Sequence, residues 1–87
     1  MQAMDKMTDA ATLILGACAW ILTDDARAER LLALTGMDAG HLRATIESPA
    51  TLGAIGGFLL GHEADLVACA DALGVDPAML AAAARGV

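Results

Sequence analysis

The sequence predicts an all-α fold, a compact bundle of five or six short helices with a central, Gly-rich, buried helix. Three observations predict it. The chain is 57% hydrophobic over 87 residues but holds one Trp, one Phe and no Tyr, so aromatic and β-branched runs that favour strands are missing. Apolar residues recur three and four positions apart along most of the chain. Gly, Asp and Pro then punctuate the sequence where one helix would stop and the next start. The length fits a single domain, 1–87, that buries a little over about 60% of the surface its unfolded chain exposes. With so few aromatic residues, its core must be aliphatic: Leu, Ala, Ile and Met, closely packed.

Residues 1–7 are expected to fray, and a first helix to run from about Thr8, or a turn earlier, to Leu22. Asp5 and Asp9 suit the positive end of its dipole. Ala11, Ile14 or Leu15, Cys18, and Ile21 or Leu22 define its packing face, with Trp20 partly buried beside them. Asp24 caps a second helix over about 25–35 that buries Ala28, Leu31, Leu32 and Leu34 and turns Arg27, Glu29 and Arg30 to solvent. Gly36 closes it, and Asp38 caps a third that runs through Ile46 with Leu42 facing inward.

Residues 48–61 carry no charge and read as the central helix. Ser48 can cap it and Pro49 fits its first turn. Leu52, Ile55 and Leu59 repeat at helical spacing, while Phe58 and Leu60 make the other sides apolar, which is the pattern of a buried helix. Gly53, Gly56, Gly57 and Gly61 oppose it, each interior one costing about 1 kcal/mol relative to Ala. That composition implies either a close approach of a neighbouring backbone or a bend at Gly56-Gly57. Gly61-His62 ends the segment, and a fifth helix from Glu63 to Leu73 buries Leu66, Cys69, Ala70 and Leu73. Gly74 stops that helix. Asp76-Pro77 then starts a last one, about 77–84, anchored by Met79 and Leu80. Thr35-Gly36-Met37-Asp38 and the residues to Leu42 line up with Leu73-Gly74-Val75-Asp76 and the residues to Leu80; duplication and reuse of a cheap joint explain this equally well.

The formal net charge of -6 favours solubility and works against attraction to nucleic acid or anionic membranes. No run reaches the roughly 20 apolar residues of a membrane span, and the acid-flanked stretch 10–22 does not read as a signal peptide. Cys18 and Cys69 lack CxxC spacing and sit among apolar residues, as buried free thiols of a cytoplasmic protein do.

Ala70, Gly74, Val75 and Leu80 fit a DNA-binding helix-turn-helix, but the helix that follows offers no side chain able to read base edges. The earlier joint has His41, Arg43 and Thr45 in the reading helix, but Leu32 where a small residue belongs. Nucleic-acid binding is therefore the alternative reading only. Arg27, Arg30 and Arg43 are three of five bases, while residues 47–76 hold five acids and no base. They and Trp20 are the candidate partner contacts, with a solvated face bridging to Glu29 or Asp24 as the plain reading of Arg27 and Arg30. His41 and His62 fall in different segments and make no metal pattern with the scattered cysteines. No nucleophile elbow or phosphate loop occurs, and Asp24-Asp25 is explained by a helix start. Catalytic, cofactor and metal residues are not expected, nor is a small-molecule substrate.

Arg30-Leu31-Leu32-Ala33-Leu34-Thr35-Gly36, then Leu42-Arg43, then Gly74-Val75-Asp76-Pro77 resemble a family of small alphaproteobacterial helical proteins classed as a domain of unknown function. Asp25-Ala26 departs from the Pro-Glu of such members, and Leu31 replaces a more usual aromatic. The resemblance implies a soluble helical bacterial protein with no assigned activity. The function expected is a non-enzymatic interaction module, through self-association as a homodimer or docking to another protein. The mean hydropathy of +0.60 is high for so short a chain, and apolar surface that the core cannot hide marks interfaces. Met1, Met4, Met7 and Trp20 are the expected contributors.

Overall fold

The computed structural model describes the backbone of residues 2–87 and the side chains of residues 10–87. The first helix begins at Gln2, ahead of the start expected near Thr8 or a turn earlier, and any surface built from Met1, Met4 and Met7 concerns side chains outside the described ones. Six helices follow one another: α1 Gln2–Ile21, α2 Asp25–Thr35, α3 Ala39–Ala44, α4 Pro49–Gly61, α5 Glu63–Leu73 and α6 Pro77–Gly86. No strand occurs among the described residues. The Cα radius of gyration, 12.0 Å, equals the value of about 12 Å that a compact chain of this length should have.

The joints owe their form to local chemistry. The Asp24 carboxylate accepts the Arg27 N–H at 2.9 Å, Asp38 accepts that of His41 at 2.7 Å, and Asp76 accepts that of Ala78 at 2.8 Å. Each satisfies a backbone donor that the first helical turn leaves orphaned. Gly36 and Gly74 stand at φ 73 and 72, the left-handed region that glycine enters without a Cβ penalty. Beyond Gly74 the Val75 N–H returns to the Ala70 carbonyl at 2.9 Å, while at Gly36 only that glycine's own N–H turns back, to Leu32. The two similar joints are thus closed differently. Ser48 occupies the cap position of α4 but its side chain caps nothing. Instead the buried Thr51 hydroxyl donates to Thr45 at 2.8 Å, which in turn donates to the His41 carbonyl at 2.8 Å. That relay ties the end of α3 to the start of α4.

The interior is aliphatic. Ile14, Ile21, Leu31, Ile55, Leu59 and Leu80 are fully buried. It is shared among α1, α4 and α6 rather than arranged round α4 alone, since α6 packs on α1 and α5 as well as on α4. α4 buries Leu52, Ile55, Phe58 and Leu59, but Gly57, Leu60 and Gly61 form an exposed edge, so it is not buried on every side. Its four glycines divide sharply. A Cβ on Gly56 would lie 2.6 Å from the Ala84 carbonyl oxygen and 3.1 Å from the Val87 side chain, whereas one on Gly57 or Gly61 would meet nothing within 4 Å. Of the two expectations, close approach is met at Gly56, and α4 runs as one helix through Gly56-Gly57.

Three packing expectations are corrected. Leu34 is 61% exposed because α2 presses only one narrow stripe, centred on Leu31, against the core. Met79 is 57% exposed, and the buried stripe of α6 is instead Leu80, Ala83 and Ala84. α3 ends at Ala44, leaving Ile46 half-buried in the turn that follows.

Cys18 and Cys69 are free and buried. Burial pushes the Cys69 thiol up from 9.0 to about 11, with Arg27 pulling it down and Asp65 pushing it up by their charges. Burial alone raises Cys18.

Gly56→Ala should lower stability by about 1–3 kcal/mol, because overpacking against a carbonyl outweighs the helix propensity gained. Gly57→Ala should raise it by about 0.5–1 kcal/mol. Urea unfolding of the two variants checks the difference in sign. A thiol raised in the folded state favours folding below its unfolded value and loses that contribution as pH rises through the folded one. The urea midpoint should therefore fall between pH 9.0 and about 11, and fall less in Cys69→Ala.

Candidate functional site

Trp20 lies half-buried in the last turn of α1, and Arg27, in the first turn of α2, lies across it. The guanidinium carbon sits 3.7 Å from the indole ring centroid, within the range of a cation–π contact worth about 0.5–2 kcal/mol. A terminal guanidinium N–H also donates to the Trp20 carbonyl and to the Thr23 hydroxyl, both at 3.0 Å. Its Nε is buried with no hydrogen-bond partner among the described residues. Arg27 is therefore half-buried and structural, not turned to solvent. The two arginines expected to act together diverge: Arg30 reaches Asp65 of α5 at 2.9 Å instead of Glu29 or Asp24. An ion pair as open as this one contributes at most about 1 kcal/mol. Its effect is to join the basic stretch to the acidic one within a single chain.

Arg43 is left over. It is exposed on α3 and makes no ion pair or side-chain hydrogen bond with another described residue. It stands at the rim of a cleft of about 340 Å³ between the end of α1 and α3, whose other walls are Leu22, Ala39, Leu42 and Ile46. Trp20 and Arg27 thus form one cluster, while Arg30 and Arg43 stand apart from it and from each other.

A larger concave surface than the α1–α3 cleft was not foreseen. It is a groove of about 760 Å³ bounded by α1, the end of α5 and α6, with Leu13, Gly16, Leu73, Met79, Ala82 and Ala83 among its walls. Small residues create it, since Gly16 and the alanines leave the space that longer side chains would fill. Among the described residues Thr12 supplies the one polar side chain of its lining, which is otherwise apolar, so the groove can hold an apolar surface. Gly16, Ala82 and Ala83 are visible in the sequence as small residues within helices. Their meeting in space is not, because nothing local says that α1 and α6 are neighbours.

His62 joins α4 to α5. Its Nδ1 lies 2.8 Å from the Phe58 carbonyl, which can only accept, so Nδ1 carries the proton. The ring stacks on Phe58 at 4.5 Å. His41 is exposed on α3. Among the described residues no three His, Cys, Asp or Glu side chains gather where a metal could bind. In the α5–α6 joint, Ala70 and Leu80 are core residues, and the outer side of α6 presents Met79, Ala82 and Arg85. Among the described residues no single helix is long and apolar enough to cross a membrane.

No curated protein and no solved structure matches this chain. The matching family is described as "Protein of unknown function (DUF3572)" and its pattern extends over residues 7–87. Nearly the whole helical bundle lies inside that match, and the chain belongs to the DUF3572 family.

Proposed function

We propose that this chain is a non-enzymatic protein-interaction module that works by self-association. The observation that carries the reading is the groove across α1 and α6 with a projecting Met79 on its own wall. A knob beside a hole of like chemistry is self-complementary, and a two-fold dimer would let each Met79 enter the groove of the other copy. Methionine is unbranched and adapts to irregular apolar space, which suits it to that role. The apolar character of the groove's described lining supports docking of an apolar partner surface. Two buried free thiols support residence in a reducing compartment such as the cytoplasm.

Copies that each carry a net charge of -6 repel, so a dimer held by apolar contact should tighten as salt screens the repulsion. Light scattering across protein concentration at about 1 M salt should give a dimer for the wild type and a monomer for Met79→Glu with unchanged helicity. A wild type that is monomeric at every concentration rejects the reading. Exposed His41 and Arg43 favour the rival, nucleic-acid binding through α3, against the acidic charge and the six-residue length of that helix. The rival expects DNA affinity at low salt that drops with Arg43→Ala, and no low-salt affinity ends it.

A further inference from the structure

We propose that the cleft between α1 and α3 receives the acidic outer face of α5 from a second copy of the chain. The inference rests on the self-association reading and adds to it a second contact of a different kind. Leu22, at 46% exposed, is one of the large apolar side chains the fold leaves open, and it forms a wall of this cleft beside Arg43. The acids nearest Arg43 in sequence do not neutralise it. Asp38 is engaged with the His41 N–H, and Glu47 makes no ion pair.

The complementary surface is on α5. Glu63, Val67 and Asp71 fall at i, i+4 and i+8, one stripe down the helix, and all three are exposed. Val67, 46% exposed, is another of the open apolar side chains. An apolar residue set between two carboxylates is the counterpart of an apolar cleft with a cation at its rim, the arrangement by which a helix face docks in a groove. Neither carboxylate has a basic partner among the described residues, whereas Asp65, on another side of α5, is held by Arg30. Within one chain the basic and acidic stretches already meet once, at Arg30 and Asp65. Arg43 and the Glu63–Asp71 stripe are the parts of those stretches that remain to meet between chains.

Because cleft and stripe are different surfaces, the contact is head-to-tail and joins copies into rings or open chains. Its salt response is opposite to that of the groove dimer, since it depends on attraction between unlike charges.

Sedimentation velocity on the full chain tests it at about 10 mM and about 1 M salt. The wild type should grow beyond a dimer at low salt and stop at the dimer at high salt. Arg43→Glu and Asp71→Lys should each weaken the low-salt growth by about tenfold or more. The double variant should restore it, because every copy then carries both reversed charges. Met79→Glu should retain the salt-sensitive association while losing the dimer that persists at high salt. Growth that stops at the dimer at both salts overturns this inference and leaves the groove reading standing. Single variants that assemble like the wild type, or a double variant of native helicity that does not recover, overturn it as well. A monomer under all conditions overturns both.

Discussion

The passage of α4 over α6 is the constraint on which the rest depends. At Gly56 the two backbones come so near that a methyl group would strike the Ala84 carbonyl. Such an approach brings the short side chains of α6, Ala83 and Ala84, into the same layer as Ile55 and Leu59. An alanine-rich helix cannot build a core by reach. It does so by proximity, and the glycine opposite permits that proximity. α6 also packs on α1 and α5, so where it sits against α4 sets where those two helices meet it.

The same economy of side-chain volume explains the apolar surface. Helices that meet through Gly and Ala close tightly where they touch and leave troughs where they diverge. The groove lined by Gly16, Ala82 and Ala83 is such a trough, and Met79 stands on its edge because Leu80 takes the inward position on α6. A core built from small residues and a surface that attracts apolar partners are therefore two results of one composition. Charge acts separately from this. The Arg27–Trp20 contact and the Arg30–Asp65 pair fasten α2 to its neighbours, leaving Arg43 to face outward.

The helices and most of their ends were legible because caps act locally, the start of α1 and the end of α3 being the exceptions. Asp24, Asp38 and Asp76 each cap within three residues, and Gly36 and Gly74 each need only their own backbone angle. Most of the buried stripes were legible as well: Leu66, Cys69 and Ala70 on α5 follow from spacing. Leu34 and Met79 misled because periodicity marks an apolar face without saying how wide a neighbour will cover it. Ser48 misled for a related reason: a residue suited to capping was in position, but no hydrogen bond forms. Arg27 is instructive in another way. Its indole partner lies seven residues back, across the turn at Thr23-Asp24, and no helical spacing rule joins residues on two different helices. Of the candidate site, the sequence singled out Trp20 and the arginines but not the groove, since that depends on which helices become neighbours.

His62 ends α4 and begins α5, so a single residue carries the 111° change of direction between them. A corner this tight has no slack. Each residue of an α-helix advances the azimuth by about 100°, so one residue added or removed at this corner would swing every α5 side chain about its axis by that angle. Leu66 and Cys69 would leave the interior together, and Asp65 would lose Arg30. The orientation of the fifth helix is thus set by counting residues at the corner as much as by the contacts it makes after it.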